Sequence, residues 1–541
     1  MRGLLILALS CELVAQVTLG DIEFGVEPVT YAYTHVGYAT CLVRASSHAN
    51  APTSMTVTFS STLTPHRYQV EMDVDPGSHA YEVFVPASLR MIDKVRFYNR
   101  DLGHADADVT INFKRSALGV LCDDSVPSGY FALPNLNPTQ EARLMAAVPY
   151  RHRQNPIVAD YMPASLWPKT ARGLSCYDML AMRFSAWEVL SQLEKARIDE
   201  FVAMGGNLLL LSVDGSRNEI TVSPDRFGLR LTYNQDSVLS PEPYLDLLET
   251  ISITDSNAPN ASALAFFGDQ VQPPSTRSLF LALLLFVIVV GPVNYWWFAR
   301  RKAIMRLYFS IPAISVVWGL GIYAIGTWGK LDRARVRAVT LLDQQEHLAV
   351  TLAVQSNFTY HWPRKGLQFP SSTWVYLPDS DYRGSDLQVH DGPGSQWRGD
   401  FLAPKRPELI YTRQFETRRE RLIIEEQDGV LHVTNHMGTS IRKGLVCGLS
   451  GAFYRLGNLD EGASLVVNAS HLQQSPRELF LNELVRKRQL EKTSLDEVDL
   501  NNTIALDPGT YVLVLNGAPF VDVPFDESCL IRTDSMVCGR F

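Results

Sequence analysis

Six polar residues in the middle of the chain are the first candidates for chemistry, because each lies at or just after the end of a predicted apolar strand. They are Asp123, Asp124, Arg183, Ser185, Asp214 and Ser216. Open α/β sheets bind ligands beyond the carboxyl ends of their strands, and paired carboxylates can act as acid and base in hydrolysis. The simpler interpretation, which we favour, is that these residues only keep the loops after buried strands hydrated.

Cysteine and histidine patterns argue against a thiol nucleophile or a metal site. A nucleophilic cysteine needs a sharp turn after a strand and a histidine base. Here Asp123 follows Cys122 without a glycine turn, Cys176 precedes a strand, and residues 153–346 contain no histidine. No C-x-x-C motif and no His/Cys cluster with zinc spacing occurs. The sequence therefore predicts no catalytic residue, no metal and no cofactor.

Length and composition indicate a folded protein of several domains. The chain has 541 residues, a formal net charge of -8, 46% hydrophobic residues and 20% charged residues. These values are ordinary for globular proteins and not for disordered chains. No basic run with interleaved aromatic residues is present, so we expect no nucleic-acid partner.

The N-terminal residues 1–20, MRGLLILALSCELVAQVTLG, are typical of a secretory signal peptide cleaved near Gly20. An uncleaved anchor and a first buried strand are the alternatives. Removal of this segment leaves six of the seven cysteines, an even number that fits an oxidising compartment. Cys529 and Cys538 flank LIRTDSMV, and a disulfide bond between them could close a terminal hairpin.

Two uncharged apolar segments in mid-chain predict a membrane hairpin within residues 278–329. Residues 279–298 read LFLALLLFVIVVGPVNYWWF, and residues 307–328 read LYFSIPAISVVWGLGIYAIGTW. Each is long enough to cross a hydrocarbon core of roughly 30 Å as a helix. Membrane helices also tolerate the proline and glycine residues found here. A buried helical hairpin in a soluble core is the alternative. The aromatic residues in positions typical of interface anchors are Trp296, Trp297 and Trp328.

The short loop 299–306 between the two segments is basic, which predicts a cytoplasmic tip. Its cations are Arg300, Arg301, Lys302 and Arg306. The opposite flank is basic as well, with Lys330, Arg333, Arg335 and Arg337. Basic residues on both sides of the hairpin leave its orientation almost undecided by charge alone. The predicted signal peptide favours the orientation in which both flanking regions are exported. We therefore expect a two-pass cell-membrane protein, in contact with the lipid bilayer and with most of the chain periplasmic or extracellular.

Two kinds of domain are predicted before the hairpin. Residues 21–115 alternate apolar and polar side chains in short segments such as SMTVTFSS, which predicts a β-sandwich. Residues 116–255 alternate continuously apolar strands with helices, which predicts a parallel α/β sheet covered on both faces. Ser191 and Glu194 form a capping-box pattern at the start of one of these helices.

Residues 256–277 are predicted to be a linker, and residues 330–541 a β-rich exported domain. Gly, Asn and Asp turns separate the strands of this last region. One helix is expected to interrupt it, with Ser475 as N-cap, Pro476 in the first position and an end at about Lys492.

Part of this sequence resembles a known family. The segments YDMLAMR (177–183) and FVAMGGNLLLLS (201–212) resemble the class I glutamine amidotransferase-like, flavodoxin-like domain of exported bacterial membrane proteins. GPVNYWWFARRKA (291–303) looks like the span and basic loop of such proteins, and LHVTNHMGTSI (431–441) resembles their β-modules. The resemblance implies a fold without catalytic residues, because the G-x-C-x-G elbow of the active relatives is missing.

These patterns together predict a non-enzymatic envelope protein that binds, scaffolds or assembles partners. The hairpin would hold one exported arm on each side, which raises their effective concentration for each other or for a shared envelope protein. An accessory subunit of an export or transport complex, packing through Gly319 and Gly321, is the first alternative. An envelope hydrolase with Asp123 or Asp124 near Asp214 is the second.

Overall fold

The computed structural model describes most of the chain. The described residues are 15–29, 32–33, 37–62, 66–86, 91–112, 114–115, 118–148, 156–212, 219–222, 227–234, 241–251, 266, 276–301, 304–327, 333–359, 366–377, 387–392, 394–399, 407–427, 429–469, 495, 500, 506–525 and 529–541. The predicted helix from Ser475 to Lys492 and residues 1–14 of the predicted signal peptide lie outside these ranges.

Two facing sheets near the N-terminus share one core, as expected for a β-sandwich. The first is antiparallel and has the order β1 (Ala15–Leu19), β2 (Ile22–Pro28), β4 (Tyr38–Ser47) and β7 (Gly77–Pro86). The second includes β6 (Arg67–Val74), β5 (Thr53–Ser60), β8 (Met91–Asn99) and β9 (Gly103–Asn112). Burial alternates along β5, which is the period of a strand with one face in a core. Phe24 and Phe97, from opposite sheets, stack with ring centroids 4.2 Å apart. A separate pair consists of β3 (Ala32–Tyr33) and β10 (Lys114–Arg115).

Residues assigned to the signal peptide take part in this sandwich. Ala15–Leu19 pairs with Ile22–Pro28, and the side chain of Leu19 is buried. Cleavage near Gly20 would therefore remove an edge strand. The predicted boundary at residue 20 does not coincide with the start of the fold, and the alternative of a first strand applies to residues 15–19. A signal peptide upstream of this strand stays a prediction.

Three strands that follow the hairpin in the sequence also belong to the sandwich. They are β19 (Leu367–Pro370), β21 (Leu387–Asp391) and β22 (Gly394–Gly399). β21 pairs in parallel with β6, and β22 and β19 extend the same sheet to seven strands. The predicted domains 21–115 and 330–541 therefore need correction, because the first cannot complete its sheet without the second. Pairing between strands so far apart in sequence leaves no local signal that a single sequence would show.

A six-stranded sheet follows, with all but one edge strand parallel. Its order is β12 (Ile157–Tyr161), β11 (Leu118–Cys122), β13 (Met179–Arg183), β14 (Asn207–Ser212), β16 (Leu229–Asn234) and β15 (Glu219–Val222), and β15 is the antiparallel one. The central strands are buried along nearly their whole length, as the sequence predicts for a sheet covered on both faces. Among the parallel strands in chain order this is 2-1-3-4-5, the doubly wound order whose ligand crevice lies between the first and third strands.

Helices cover both faces of this sheet. They are α1 (Pro138–Ala147), α2 (Ala171–Leu174), α3 (Phe184–Val189), α4 (Gln192–Ala203) and α5 (Pro241–Ile251). The predicted capping box at the start of α4 is confirmed, since Ser191 Oγ accepts from Glu194 N at 3.3 Å and Glu194 Oε2 accepts from Ser191 N at 2.8 Å. Gly205 ends the helix with a φ of 101°, a conformation that L side chains rarely adopt.

The largest sheet lies after the hairpin and has eight strands. In order they are β20 (Thr373–Tyr376), β23 (Glu408–Thr417), β18 (Leu348–Phe358), β17 (Arg333–Asp343), β30 (Leu530–Arg540), β29 (Thr510–Leu515), β26 (Ile441–Cys447) and β27 (Phe453–Leu456). A three-stranded sheet of β24 (Arg421–Gln427), β25 (Val430–His436) and β28 (Ser464–Asn468) packs on it. One hydrophobic cluster joins the eight-stranded sheet to the parallel sheet and the helix α4, and its members include Val339, Leu341, Leu208 and Phe201. The chain on both sides of the hairpin thus forms one packed body.

Two apolar helical segments form the hairpin. The first consists of α6 (Thr276–Ile288), a π-helical turn at Val289–Val293 that contains Pro292, and α7 (Asn294–Arg300). A short 3-10 turn at Ile304–Arg306 leads into α8 (Leu307–Thr327). The spans Phe280–Arg300 and Ile304–Gly321 have mean hydropathies of 2.0 and 1.4, and only 6% and 0% of their residues are buried. A soluble core helix would bury such residues, so this exposure fits helices that meet lipid.

Candidate functional site

The carboxyl ends of β11 and β13 bring four of the six predicted site residues to one place. β11 and β13 are neighbours in the sheet, and Asp123 N donates to Ala181 O at 2.8 Å just beyond the last paired residues. Arg183 N donates to Ser125 Oγ at 3.2 Å, which ties the two loops together. Asp124 and Ser185 are exposed beside them. Asp214 and Ser216 lie outside the described residues, so their predicted place in this site is untested.

The Asp123 carboxylate serves the local fold. It is buried, its Oδ1 accepts from Ala164 N at 2.9 Å, and its Oδ2 accepts from Ser125 N at 2.9 Å. Both oxygens are thus engaged by backbone amides, one of them at the start of the short 3-10 turn Ala164–Leu166. The geometry favours the interpretation of Asp123 as a loop-capping residue over a role as ligand or catalytic base.

Replacement of Asp123 by alanine should lower the free energy of unfolding by about 1–3 kcal/mol, because two amides lose their acceptor. Asp124→Ala removes the neighbouring, exposed carboxylate and should change stability by less than about 0.5 kcal/mol. Urea unfolding of the purified protein in detergent, followed by tryptophan fluorescence, measures both values. Equal effects of the two substitutions would contradict the capping role of Asp123.

The two cysteines within residues 116–255 are poor nucleophiles. Cys122 and Cys176 are both fully buried. Burial raises the pKa of the Cys122 thiol well above its ordinary value, and the nearby Asp160 and Asp123 carboxylates raise it further. A neutral, buried thiol is inert at pH 7 because only the exposed thiolate attacks. Among the described residues, no group of three or more His, Cys, Asp or Glu side chains is placed to hold a metal ion.

The predicted disulfide between Cys529 and Cys538 is wrong. Leu530–Arg540 forms one continuous strand, and Cys529 directly precedes it. Nine residues of extended chain place the two thiols roughly 30 Å apart, far beyond the reach of a disulfide bond. No disulfide joins them, and Cys538 is buried in the sheet, where burial raises its pKa. The hairpin expected between them does not form because β30 pairs with β17 and β29 instead.

Five of the seven predicted membrane anchors are described, and they flank the tip of the hairpin. The guanidinium carbon of Arg300 lies 4.2 Å from the ring centroid of Trp296, and that of Arg301 lies 4.6 Å from the ring centroid of Trp297. Arg306 and both tryptophans are exposed. Stacked aromatic and cationic side chains are typical of the membrane interface. Trp328 and Lys302 lie outside the described residues.

A cavity of about 560 Å³ near the opposite end of the hairpin was not predicted from the sequence. We call it the arginine pocket, and its lining residues are Arg333, Arg442, Asn516, Leu530, Ile531, Arg532, Thr533 and Asp534. Basic residues after the second span are visible in the sequence. Their meeting with Arg442 and Arg532 depends on the pairing of β17 with β30 and of β29 with β26, and this pairing has no local sequence signal.

Comparison with known proteins identifies no relative. The sequence matches no protein-family model and no curated protein. Among solved structures, a yeast delta-COP-I mu-homology domain aligns with 39% of this chain and 95% of its own, at 7% identity and a TM-score of 0.17. A calcium-binding mutant of a Bacteroides uniformis beta-glucuronidase aligns with 36% of this chain and 23% of its own, at 9% identity and a TM-score of 0.11. Similarities of this size carry no argument about fold or function, so the function has to be argued from the residues themselves.

Proposed function

We propose that this chain is a non-enzymatic, membrane-anchored envelope protein whose exported body binds, scaffolds or assembles protein partners. The observation that carries the proposal is the pair of exposed, apolar helices, each long enough to span a membrane, joined to one large folded body. The resemblance to amidotransferase-like envelope domains supports it, as does the 2-1-3-4-5 order of the parallel strands. The burial of the Cys122 and Cys176 thiols supports a non-enzymatic role, as do the backbone amides that donate to both carboxylate oxygens of Asp123.

The charge distribution around the hairpin supports export of the body. Arg335 and Arg337 are only 8% and 5% exposed, and their guanidinium carbons lie 5.5 and 5.0 Å from the ring centroid of Phe266. Both belong to a long folded domain, and long domains are translocated largely regardless of their charge, whereas a short basic loop is retained on the cytoplasmic side. The loop at the tip contains four basic residues. The opposite ends of the two helical segments are flanked by Arg277, Lys330 and Arg333.

Exposed apolar side chains near the carboxyl ends of the parallel strands support protein binding. They are Leu166, Phe184, Val189 and Leu193, with exposures of 62%, 45%, 87% and 82%. Phe184 and Val189 begin and end α3, which follows β13 directly, and Leu193 lies in the first turn of α4. Apolar side chains gathered on a surface are typical of interaction sites, because water is a poor solvent for them.

Two introduced cysteines test the anchoring and the orientation. Met305→Cys places a thiol at the hairpin tip, and Leu449→Cys places one on the body, at side chains that are 77% and 70% exposed. A membrane-impermeant maleimide added to spheroplasts should label Leu449→Cys at once and Met305→Cys only after detergent. The parent chain with Cys529→Ser is the background control. The reverse labelling, or release of the chain by carbonate, would overturn the proposal.

A second candidate is an accessory subunit of an export or transport complex. A Cβ atom added at Gly291, Gly319 or Gly321 would meet nothing within 4 Å, so these glycines do not face the other helix of the hairpin. Small residues on free helix faces let neighbouring membrane helices approach closely. Crosslinking in native membranes followed by affinity capture should then recover a permease or an ATPase, and a Gly319→Leu/Gly321→Leu chain should lose it.

A further inference from the structure

The arginine pocket carries more positive charge than the protein neutralises. Among the described residues that line it are three arginines, Arg333, Arg442 and Arg532, and one carboxylate, Asp534, which leaves an excess of two positive charges. The Asp534 carboxylate is buried and already shared: Arg442 Nη2 lies 3.1 Å from its Oδ1, and Arg335 Nη2 lies 3.7 Å from its Oδ2. Arg532 Nε is 3.8 Å from the same Oδ2.

Two of these cations remain available to an anion. The Arg532 side chain is 52% exposed, and its one ion pair with a described residue is the long contact to Asp534. Within the described part of the chain, Arg333 makes no ion pair. Guanidinium groups bind phosphate through two parallel N–H···O bonds and keep their charge at every physiological pH. A cavity of about 560 Å³ is large enough for a small phosphate-bearing group.

The pocket lies at the end of the body that is nearest to the bilayer. β17 begins at Arg333, six residues after Thr327 at the end of α8. Six residues can span at most about 20 Å. β30 runs parallel to β17 and begins beside it, with Leu530 opposite Arg333. On the other side of the hairpin, Arg335 Nη1 donates to the carbonyl oxygen of Phe266, ten residues before α6. The chain therefore enters and leaves the membrane close to this edge of the sheet.

Apolar side chains lie on the rim of the same pocket. Leu530 is 58% exposed and Ile531 is 37% exposed, side by side with Arg532. Exposed leucine and isoleucine beside arginine are costly in water but favourable at the boundary between lipid headgroups and acyl chains. This combination selects a lipid over a soluble ion as the source of the phosphate.

We propose that the arginine pocket binds the phosphate of an anionic phospholipid headgroup, with Leu530 and Ile531 against the acyl chains. Binding would hold the edge of the body next to the hairpin on the membrane surface and fix the orientation of the body there. The inference rests on the proposed membrane anchoring, since a body far from the bilayer could not reach the headgroups. Free inorganic phosphate shares the same chemistry and is the competing source.

The test compares two charge-matched variants of the full chain purified in detergent. Arg333→Gln/Arg532→Gln removes two charges from the pocket. Arg455→Gln/Arg540→Gln removes two exposed charges from the far part of the same sheet. Calorimetric titration uses short-chain phosphatidylglycerol, short-chain phosphatidylcholine and inorganic phosphate as probes. At about a fivefold effect for each arginine, the pocket variant should bind phosphatidylglycerol about thirty-fold more weakly than the control variant.

If the phosphate belongs to a lipid, two further results are expected. Leu530→Ser/Ile531→Ser should weaken phosphatidylglycerol binding but leave the response to inorganic phosphate unchanged, and phosphatidylcholine should bind more weakly than phosphatidylglycerol. Equal affinity for inorganic phosphate and phosphatidylglycerol, or equal loss in the pocket and control variants, would overturn the proposal. Carbonate release of a chain that still binds through Arg333 and Arg532 would refute the anchoring alone, so the two failures are distinguishable.

Discussion

Replacement of Arg172 by leucine is expected to lower the free energy of unfolding by about 3–5 kcal/mol, the loss typical of a buried ion pair that is broken on one side. Arg172 lies in α2, and its Nη2 is 3.1 Å from Oδ2 of Asp391 in β21. Its guanidinium carbon lies 4.1 Å from the ring centroid of Tyr38 in β4. The Tyr68 hydroxyl, in β6, donates to the same Asp391 oxygen at 3.0 Å.

The effect should be large because this cluster joins three parts of the chain and excludes water. The side chains of Arg172 and Asp391 are 13% and 11% exposed, and Tyr38 and Tyr68 are fully buried. Burial raises the pKa of the Tyr68 hydroxyl well above its ordinary value, and Asp391 raises it further, so the hydroxyl stays protonated and donates. Without Arg172, the described residues would offer the Asp391 carboxylate the Tyr68 hydroxyl as donor and no cation, in a poorly solvated site.

Two controls separate this role from a general effect of charge removal. Arg44→Leu breaks an exposed pair with Glu27, with side chains 61% and 41% exposed, and should cost less than about 1 kcal/mol. Arg172→Leu/Asp391→Leu removes both buried charges and should be more stable than Arg172→Leu alone. Urea midpoints of the detergent-purified chains measure all three. A similar loss for Arg172→Leu and Arg44→Leu would show that the cluster contributes no more than a surface pair.

Local patterns predicted the elements of this fold well, because their signals lie within a few residues. The capping box of Ser191 and Glu194 needs only positions three apart. The buried strands Leu118–Cys122 and Asn207–Ser212 are continuous apolar runs. The membrane spans depend on composition over about twenty residues, and two apolar helices of that length are present.

Contacts between distant segments could not be predicted in the same way. Tyr68 and Asp391 are 323 positions apart, and neither has a sequence neighbour that marks the other. The terminal segment around Cys529 and Cys538 shows the same limit. The sequence permits a local hairpin there, but a parallel pairing with Arg333–Asp343 gives the strand two neighbours and a buried face. The arginine pocket depends on that pairing, so it was missed for the same reason.

A fragment that ends at residue 330 should fail to fold, although it contains the whole region first assigned to the sandwich and the parallel sheet. It lacks β19, β21 and β22, so β6 becomes an edge strand whose backbone groups have lost their β21 partner. The sandwich core loses eight buried side chains, which are Leu367, Phe369, Val375, Leu377, Leu387, Val389, Trp397 and Ile410. At about 1.5 kcal/mol or more for each, this loss reaches the 5–15 kcal/mol that is typical of a domain's whole stability. Trypsin treatment of membranes should leave no resistant body.

Supplying residues 331–541 as a second exported chain should restore a trypsin-resistant body, because every lost contact can re-form between the two pieces. This pair also controls for the chain break itself, since it contains the same cut. Adding Arg172→Leu to the first piece should weaken the association, whereas Arg44→Leu should not, because only Arg172 contacts the second piece through Asp391. If the first piece alone gave a resistant body, the arms would be independent domains held together only by the membrane. The hairpin would then act as a tether between two modules and not as an anchor for one body.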